Sequence, residues 1–159
     1  MSDSEILLWL FILNLGIACG AGLYETRLVL PLWFGRPATG DGYFVNGEAM
    51  RRLDSGRKFW AFVTTGPLTL LTLANLVAAW QSVGPQHGWW LGAGLVILLE
   101  RVGTFSFFIP TAIRFGRAER LSPPAASRLV ARWVALNHVR TALTGLGWLS
   151  ALRALTLVS

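Results

Sequence analysis

Residues 6–23 read ILLWLFILNLGIACGAGL and contain no Lys, Arg, Asp or Glu. A helix that crosses the hydrocarbon core of a bilayer, about 30 Å thick, needs roughly 20 predominantly apolar residues. Beyond residue 23 the run carries a few polar residues and then continues in apolar residues to Trp33. We therefore predict a first transmembrane helix over residues 6–33.

Three further apolar segments of comparable length follow, and we predict helices over residues 59–81, 89–113 and 129–157. Apolar residues surround most of each segment, as is expected when one side meets lipid and the other meets neighbouring helices. We expect no strands. The sequence thus predicts an all-α protein, a four-transmembrane-helix bundle that forms one integral membrane domain over residues 1–159. In the first helix, the GxxxG spacing of Gly16 and Gly20 predicts close approach of a second helix.

The composition of the chain indicates the same class of protein. Of its 159 residues 53% are apolar and 14% are charged, so the excess apolar surface requires a lipid bilayer as partner. The net charge of +6 does not indicate nucleic acid, because the basic residues lie between the apolar runs without an aromatic-interleaved stripe. A single cysteine, Cys19, excludes an internal disulfide and the paired thiols of a quinone reductase.

The basic residues are concentrated in two of the three predicted loops. They are Arg36, Arg51, Arg52, Arg57 and Lys58 in the first loop, and Arg114, Arg117, Arg120 and Arg128 in the third. The second loop, residues 82–88, has none. The positive-inside rule therefore predicts that loops one and three are cytoplasmic and that both termini are outside, and we expect the bacterial inner membrane. In the first loop, residues 48–53 (EAMRRL) predict a short interfacial helix.

Polar residues within the predicted helices are the candidates for a functional site, because a charge inside a bilayer is costly and normally faces the bundle interior. They are Tyr24, Glu25 and Arg27 in the first helix, Glu100, Arg101 and Thr104 in the third, and Asn137, His138, Arg140 and Thr141 in the fourth. From their depth, we expect one shared site in the cytoplasmic half. The candidate catalytic groups are Glu100, His138, Arg140 and Glu25, and the remaining six residues are candidates for binding substrate.

Two hypotheses account for this set of residues. In one, interhelical ion pairs only specify the bundle; in the other, a carboxylate or His138 moves a proton while an Arg holds an anionic oxygen. Because Glu100 and Arg101 are adjacent, their side chains leave the helix about 100° apart, and we expect each to pair across helices. No cofactor is expected; a non-haem metal at Glu25, Glu100 and His138 is a minor alternative, since no ExxH or HxxxH spacing supports it.

Three stretches carry a resemblance to a known family. They are residues 20–27 (GAGLYETR) running into 31–34 (PLWF), residues 100–111 (ERVGTFSFFIPT), and Trp133 followed by residues 136–141 (LNHVRT). Over nearly its whole length the chain resembles the anthrone-oxygenase-like family of small four-helix membrane proteins. The characterised fungal members oxidise polyketide anthrones to anthraquinones with molecular oxygen, so the resemblance implies chemistry without a classical cofactor.

The resemblance implies an oxidoreductase that acts on a hydrophobic small molecule of the anthrone, phenol or quinone type. Glu100 or His138 would remove a proton, and Arg140 or Arg101 would stabilise the enolate. Two other classes stay open. A proton-coupled small-molecule transporter would use Glu25 and would require a homodimer, because four helices enclose little room for a path. A non-catalytic membrane scaffold would use the same charges only for packing.

Overall fold

A computed structural model describes residues 2–36, 42–117 and 121–158. Among these residues, four helices are long and apolar enough to cross a membrane. They are α1 (Asp3–Trp33), α3 (Gly56–Gln81), α4 (His87–Phe115) and α5 (Pro123–Val158). The prediction of an all-α bundle of four transmembrane helices is confirmed, and the protein is a membrane protein. The helices begin two to six residues before the predicted positions, because polar capping and loop residues extend their first turns.

Polar side chains cap the first turn of α1. The Ser2 hydroxyl accepts the Glu5 backbone N–H at 3.3 Å, and the Glu5 carboxylate accepts the Ser2 backbone N–H at 2.6 Å. This capping box satisfies backbone donors that the first turn leaves without partners. In the first loop, the predicted interfacial helix is present as α2 (Gly47–Leu53), with the Asn46 side chain accepting the Ala49 N–H.

Two very short strands join the ends of the first loop, so the expectation that the chain contains no strands is wrong. β1 (Phe34–Gly35) pairs antiparallel with β2 (Phe44–Val45), with Gly35 opposite Phe44. A Cβ at Gly35 would overlap the ring of Phe44, which is 50% exposed, so a larger residue at this position would have to displace that ring. The pairing folds the first loop back against the end of α1 and brings α2 beside it.

The four long helices form a closed ring in which each contacts its neighbours in sequence and α1 also contacts α5. The half of the ring that carries the chain termini, here called the terminal half, is filled by side chains that are fully or almost fully buried. They include Leu8, Phe11, Leu15, Trp90, Ala93, Ile97, Ala151 and Ala154. A polar contact crosses this packing, because the Trp90 indole N–H donates to Asn75 Oδ1 at 2.9 Å while Asn75 donates to the Leu7 carbonyl at 3.3 Å.

Close packing depends on other glycines than the predicted pair. A Cβ at Gly147 would lie 2.5 Å from Ile97 Cδ1, and one at Gly94 would lie 2.6 Å from Leu76 Cδ2. Gly16 packs on the Trp148 ring at an ordinary 3.4 Å, whereas Gly20 is exposed and has no atom within 4 Å of its Cβ position. The prediction of close approach is therefore wrong for Gly20, because the GxxxG spacing does not say which face of the helix meets a neighbour.

Candidate functional site

The other half of the ring, here called the cavity half, encloses a cavity of about 260 Å³. Its lining residues come from all four long helices, from α2 and from the turn between α2 and α3. They are Ala18, Gly22, Glu25, Trp33, Met50, Arg51, Asp54, Ser55, Gly56, Trp60, Thr64, Thr65, Glu100, Arg101, Thr104, Phe108, Ile109, Ala112, Gly116, Trp133, Arg140, Thr141 and Thr144. The cavity extends from the middle of the bundle to the end that carries the first and third loops, here called the loop end. Arg51, Gly56 and Gly116 are exposed there.

The helices around this cavity are not regular. Three π-helical segments lie among the described residues, namely Glu25–Val29 in α1, Gly56–Leu68 in α3 and Thr104–Phe108 in α4. Each segment is associated with a proline. Pro67 lies within the second segment, and Pro31 and Pro110 lie two residues after the first and the third. A proline inside a helix removes one N–H and its ring clashes with the carbonyl four residues earlier. In each case the carbonyl four residues before the proline lies in the π-helical segment, which accounts for the irregularity. Such segments are frequent at functional sites.

An ion pair joins α1 to α5 at the cavity wall. The Arg140 Nη2 donates to Glu25 Oε2 at 2.9 Å and also to Asn137 Oδ1 at 2.7 Å. The other carboxylate oxygen of Glu25 accepts the Trp60 indole N–H at 3.1 Å, so three helices converge on this carboxylate. Glu25 is 4% exposed, which makes the pair a desolvated one.

Aromatic rings and an amide hold the Arg140 guanidinium in place. Its Cζ lies 4.4 Å from the Phe108 ring centroid and 5.4 Å from that of Trp60. Asn137 is in turn fixed to α1, because its Nδ2 donates to Thr26 Oγ1 at 2.7 Å. Among the described residues, the Nε and Nη1 donors of Arg140 have no hydrogen-bond partner, so this cation can still bind an oxygen in the cavity.

A second ion pair lies on α4, and it corrects one prediction. Glu100 and Arg101 contact each other, with Arg101 Nε donating to Glu100 Oε2 at 2.6 Å, so the expectation that each pairs across helices is wrong. The angle of about 100° fixes only where the side chains start, and both are long enough to fold together. The contact to another helix is to backbone, since Arg101 Nη1 donates to the Thr64 carbonyl at 3.1 Å.

The remaining oxygen of Glu100 accepts the Thr104 hydroxyl at 2.8 Å, one turn further along α4. Thr104 and Thr141 both line the cavity, and the Thr141 hydroxyl donates to the Asn137 carbonyl at 3.0 Å. The structure therefore brings six predicted residues to the cavity, namely Glu25, Glu100, Arg101, Thr104, Arg140 and Thr141. A seventh, Asn137, is buried directly behind the wall at Arg140.

Three predicted site residues are elsewhere. Tyr24 is 61% exposed, and Arg27 and His138 are exposed on the outer faces of their helices, so the prediction that they face the bundle interior is wrong. Each lies one or two positions from an inward residue, and neighbouring positions on a helix point about 100° apart. The alternative metal site is also wrong, because His138 does not meet Glu25 and Glu100; no group of three such ligands is found within residues 2–36, 42–117 and 121–158.

Sequence analysis did not identify four polar or aromatic cavity residues. Trp60 binds Glu25, while Trp33, Trp133 and Ser55 each have a buried N–H or hydroxyl group with no hydrogen-bond partner in the described part of the chain. Their signal in the sequence was ambiguous, because a tryptophan near a helix end is also what a membrane interface favours. Arg120, counted in the third loop, lies outside the described residues.

Comparison of the chain with protein-family models, with curated proteins and with solved structures finds no match. The chemical capacity of the site therefore has to be judged from its own geometry. It combines buried carboxylates, a cation that has donors without a partner among the described residues, and a cavity that reaches the loop end of the bundle. Such groups can accept a proton and stabilise an oxyanion.

Proposed function

We propose that this protein is a membrane-embedded oxygenase that removes a proton from a hydrophobic, oxygen-bearing small molecule and lets the resulting carbanion react with molecular oxygen. The observation that supports it is the ion pair of Glu25 and Arg140 on the wall of a cavity within the bundle. A base and an oxyanion-stabilising cation side by side are what enolate formation requires. The resemblance to anthrone-oxygenase-like proteins makes an anthrone-like, phenolic or quinone-type molecule the substrate class.

Glu25 is the preferred base for geometric reasons. Its two oxygens accept one hydrogen bond each, from Trp60 and Arg140, and a carboxylate has room for more acceptors than that. Glu100 is held more completely, because Arg101 contacts one oxygen through two nitrogens and Thr104 donates to the other. In this proposal Glu100 and Arg101 are a polar wall that positions the substrate. His138 has no part in it.

The reaction balances with oxygen as the oxidant. Glu25 takes a proton from the ring methylene carbon of an anthrone, and the electron pair moves onto the carbonyl oxygen, which Arg140 stabilises. The enolate transfers an electron to oxygen, and the radicals combine through a new carbon–oxygen bond. Protonation gives a hydroperoxide; loss of the second methylene proton then breaks the oxygen–oxygen bond. The methylene becomes a carbonyl, and the second oxygen atom leaves as water.

The cavity supports a compact substrate that enters from one end. Its volume of about 260 Å³ is close to the lower limit of ligand pockets, roughly 300 Å³. The loop end is exposed, whereas Leu8, Phe11 and Ile97 fill the terminal half. Under the positive-inside rule the substrate would enter from the cytoplasmic side of a bacterial inner membrane. A cavity that opens at one end of the bundle favours an enzyme over a proton-coupled transporter, because a transporter needs access from both sides of the membrane.

The test is oxygen consumption by the protein in lipid nanodiscs with anthrone, after subtraction of the rate in empty nanodiscs. Glu25→Gln should lower kcat by about 10²- to 10⁴-fold, the usual contribution of a general base. His138→Ala is the matched control: it removes the residue that sequence alone favoured, and it should leave turnover unchanged because His138 is exposed.

A double variant separates catalysis from stability. Glu25→Gln with Arg140→Gln leaves no unpaired charge, so it should fold, yet it should not consume oxygen. If anthrone is not oxidised by the wild type, or if the double variant retains turnover, the proposal is wrong. Variants that change only the unfolding temperature would indicate a scaffold, and Glu25-dependent uptake driven by a pH gradient in proteoliposomes would indicate a transporter.

A further inference from the structure

Two buried tryptophans at the loop end of the cavity have an unexplained feature. Trp33 on α1 and Trp133 on α5 are each 5% exposed, and both line the cavity. Neither indole N–H has a hydrogen-bond partner among the described residues. Buried polar groups are almost always hydrogen-bonded, so an orphan donor in a cavity wall requires an acceptor that the described protein atoms do not supply.

The two indoles belong to one cluster. The Phe34 ring centroid lies 6.4 Å from that of Trp33 and 6.4 Å from that of Trp133. Ser55, whose hydroxyl oxygen is also buried without a partner in the described chain, lines the same end of the cavity. Three of the four buried polar atoms without a partner in the described chain therefore lie at this end of the cavity; the fourth, Asn14 Oδ1, does not line it.

This cluster is separate from the Glu25–Arg140 pair. The Phe108 ring lies between them: its centroid is 4.9 Å from that of Trp133 and 4.4 Å from Arg140 Cζ. An indole N–H is an uncharged donor, and the nearby cation Arg140 is already paired with a carboxylate. The complementary group is therefore an uncharged acceptor oxygen on an apolar body, not a carboxylate or phosphate.

We propose that Trp33 and Trp133 form a second polar subsite, in which their indole N–H groups donate hydrogen bonds to a ketone or ester oxygen of the ligand. The inference deepens the proposed function and rests on its cavity, because it adds a binding requirement at the end away from Glu25. It predicts that the natural ligand carries a second, uncharged acceptor oxygen that takes no part in the deprotonation. Anthrone, whose one oxygen is stabilised by Arg140, tests the reaction without this contact.

The experiment compares two flat probes under anaerobic conditions, so that no turnover occurs. Fluorenone carries one ketone, and fluorene is the same ring system with a methylene in its place. Wild-type protein in nanodiscs should bind fluorenone more tightly than fluorene. Trp33→Phe and Trp133→Phe keep a ring but remove the N–H, and each should weaken fluorenone binding by about three- to tenfold, the loss of one hydrogen bond, with less effect on fluorene.

Two controls accompany the variants. Trp80→Phe changes a tryptophan that is 76% exposed and should leave the affinities for both probes unchanged. The infrared carbonyl stretch of bound fluorenone should lie at lower frequency in the wild type and move up in each cavity variant, a signature that a packing defect does not produce. If Trp133→Phe does not fold, Trp33→Phe decides by the same two measurements.

The acceptor oxygen has two sources, a free ligand or a lipid ester. In nanodiscs of ether-linked phospholipid, unchanged fluorenone affinity assigns the subsite to a free ligand, and an increase assigns it to a competing lipid ester. The inference fails if wild type does not prefer fluorenone, or if the variants affect both probes equally or neither. Glu25→Gln should retain fluorenone binding, so loss of anthrone turnover with an intact carbonyl shift separates this inference from the proposed function.

Discussion

The terminal half and the cavity half are made from the same four helices, yet the first is closely packed and the second encloses a space. In the terminal half, small residues let the helices approach until Gly147 meets Ile97 and Gly94 meets Leu76. In the cavity half, π segments widen three of the helices and the wall between them carries ion pairs. The closely packed half sets the positions of the helices, and the irregular half leaves a space between them that charged groups line.

The prolines explain where the helices change from regular α-helix to widened π-helical segments. Pro31, Pro67 and Pro110 all lie in the helices that widen, whereas the prolines of α5 are confined to its start. A proline is tolerated in the first turn of a helix but distorts its interior. Accordingly α5 is α-helical throughout its 36 residues and presents Asn137 and Arg140 from a straight support. We infer that three distorted helices surround the cavity and that one regular helix carries Arg140.

Breaking the ion pair should have the largest effect on stability. Arg140→Met leaves the Glu25 carboxylate buried with only Trp60 as a donor, and an unpaired buried charge costs about 3–5 kcal/mol. The measurement is the free energy of unfolding in mixed micelles with increasing denaturing detergent. Glu25→Gln with Arg140→Gln should recover most of the loss. If Arg140→Met alone is as stable as the wild type, the pair is not a desolvated one.

Filling a close contact of the terminal half should have the next largest effect. Gly147→Ala places a Cβ against Ile97 and should destabilise the protein by about 1–3 kcal/mol through overpacking. Gly145 is the matched control, because its Cβ position has no neighbouring atom within 4 Å. Gly145→Ala should be neutral or stabilising by up to about 1 kcal/mol, since alanine favours helix. Equal effects of the two substitutions would contradict the packing described for this half.

The division between the halves also shows what the sequence can predict. The four helices follow from the length of the apolar runs, because a bilayer sets that length and no packing detail enters. The candidate site residues can be predicted because they are polar and lie within apolar membrane-spanning segments, and six of the ten predicted residues line the cavity. The π segments were missed, although proline within an apolar run is a signal for them: Pro67 is the clearest case.

The three misplaced residues could have been excluded by helical periodicity. In α5 the buried residues Trp133, Asn137 and Thr144 follow a spacing of four and seven, and position 138 lies off that line. In α1 the inward positions Gly22, Glu25 and Val29 leave Tyr24 and Arg27 outside by the same rule. The partners of the charges were not predictable, because which helix faces which depends on tertiary packing.

The smallest effect is expected at the mouth of the cavity, where a solvated ion pair contrasts with the buried one. Arg57 donates two hydrogen bonds to Asp54 Oδ2, at 2.9 and 2.6 Å, and these bonds lower the pKa of Asp54 below its ordinary value. Because the folded pKa lies below the unfolded value of about 3.9, the pair stabilises the protein above that pH. The contribution is lost as the pH falls through the folded pKa.

Asp54→Asn tests this contribution without disturbing the backbone. Asp54 has a positive φ of 43°, which asparagine also tolerates. The wild type should be slightly more stable to heat than the variant at pH 6, and the difference should vanish as the pH is lowered below about 3.9. High salt should reduce it as well, because Arg57 is 87% exposed. A difference that survives both low pH and high salt would show that Asp54 acts through backbone geometry and not through charge, so that this solvated pair, unlike the buried one, contributes nothing to stability.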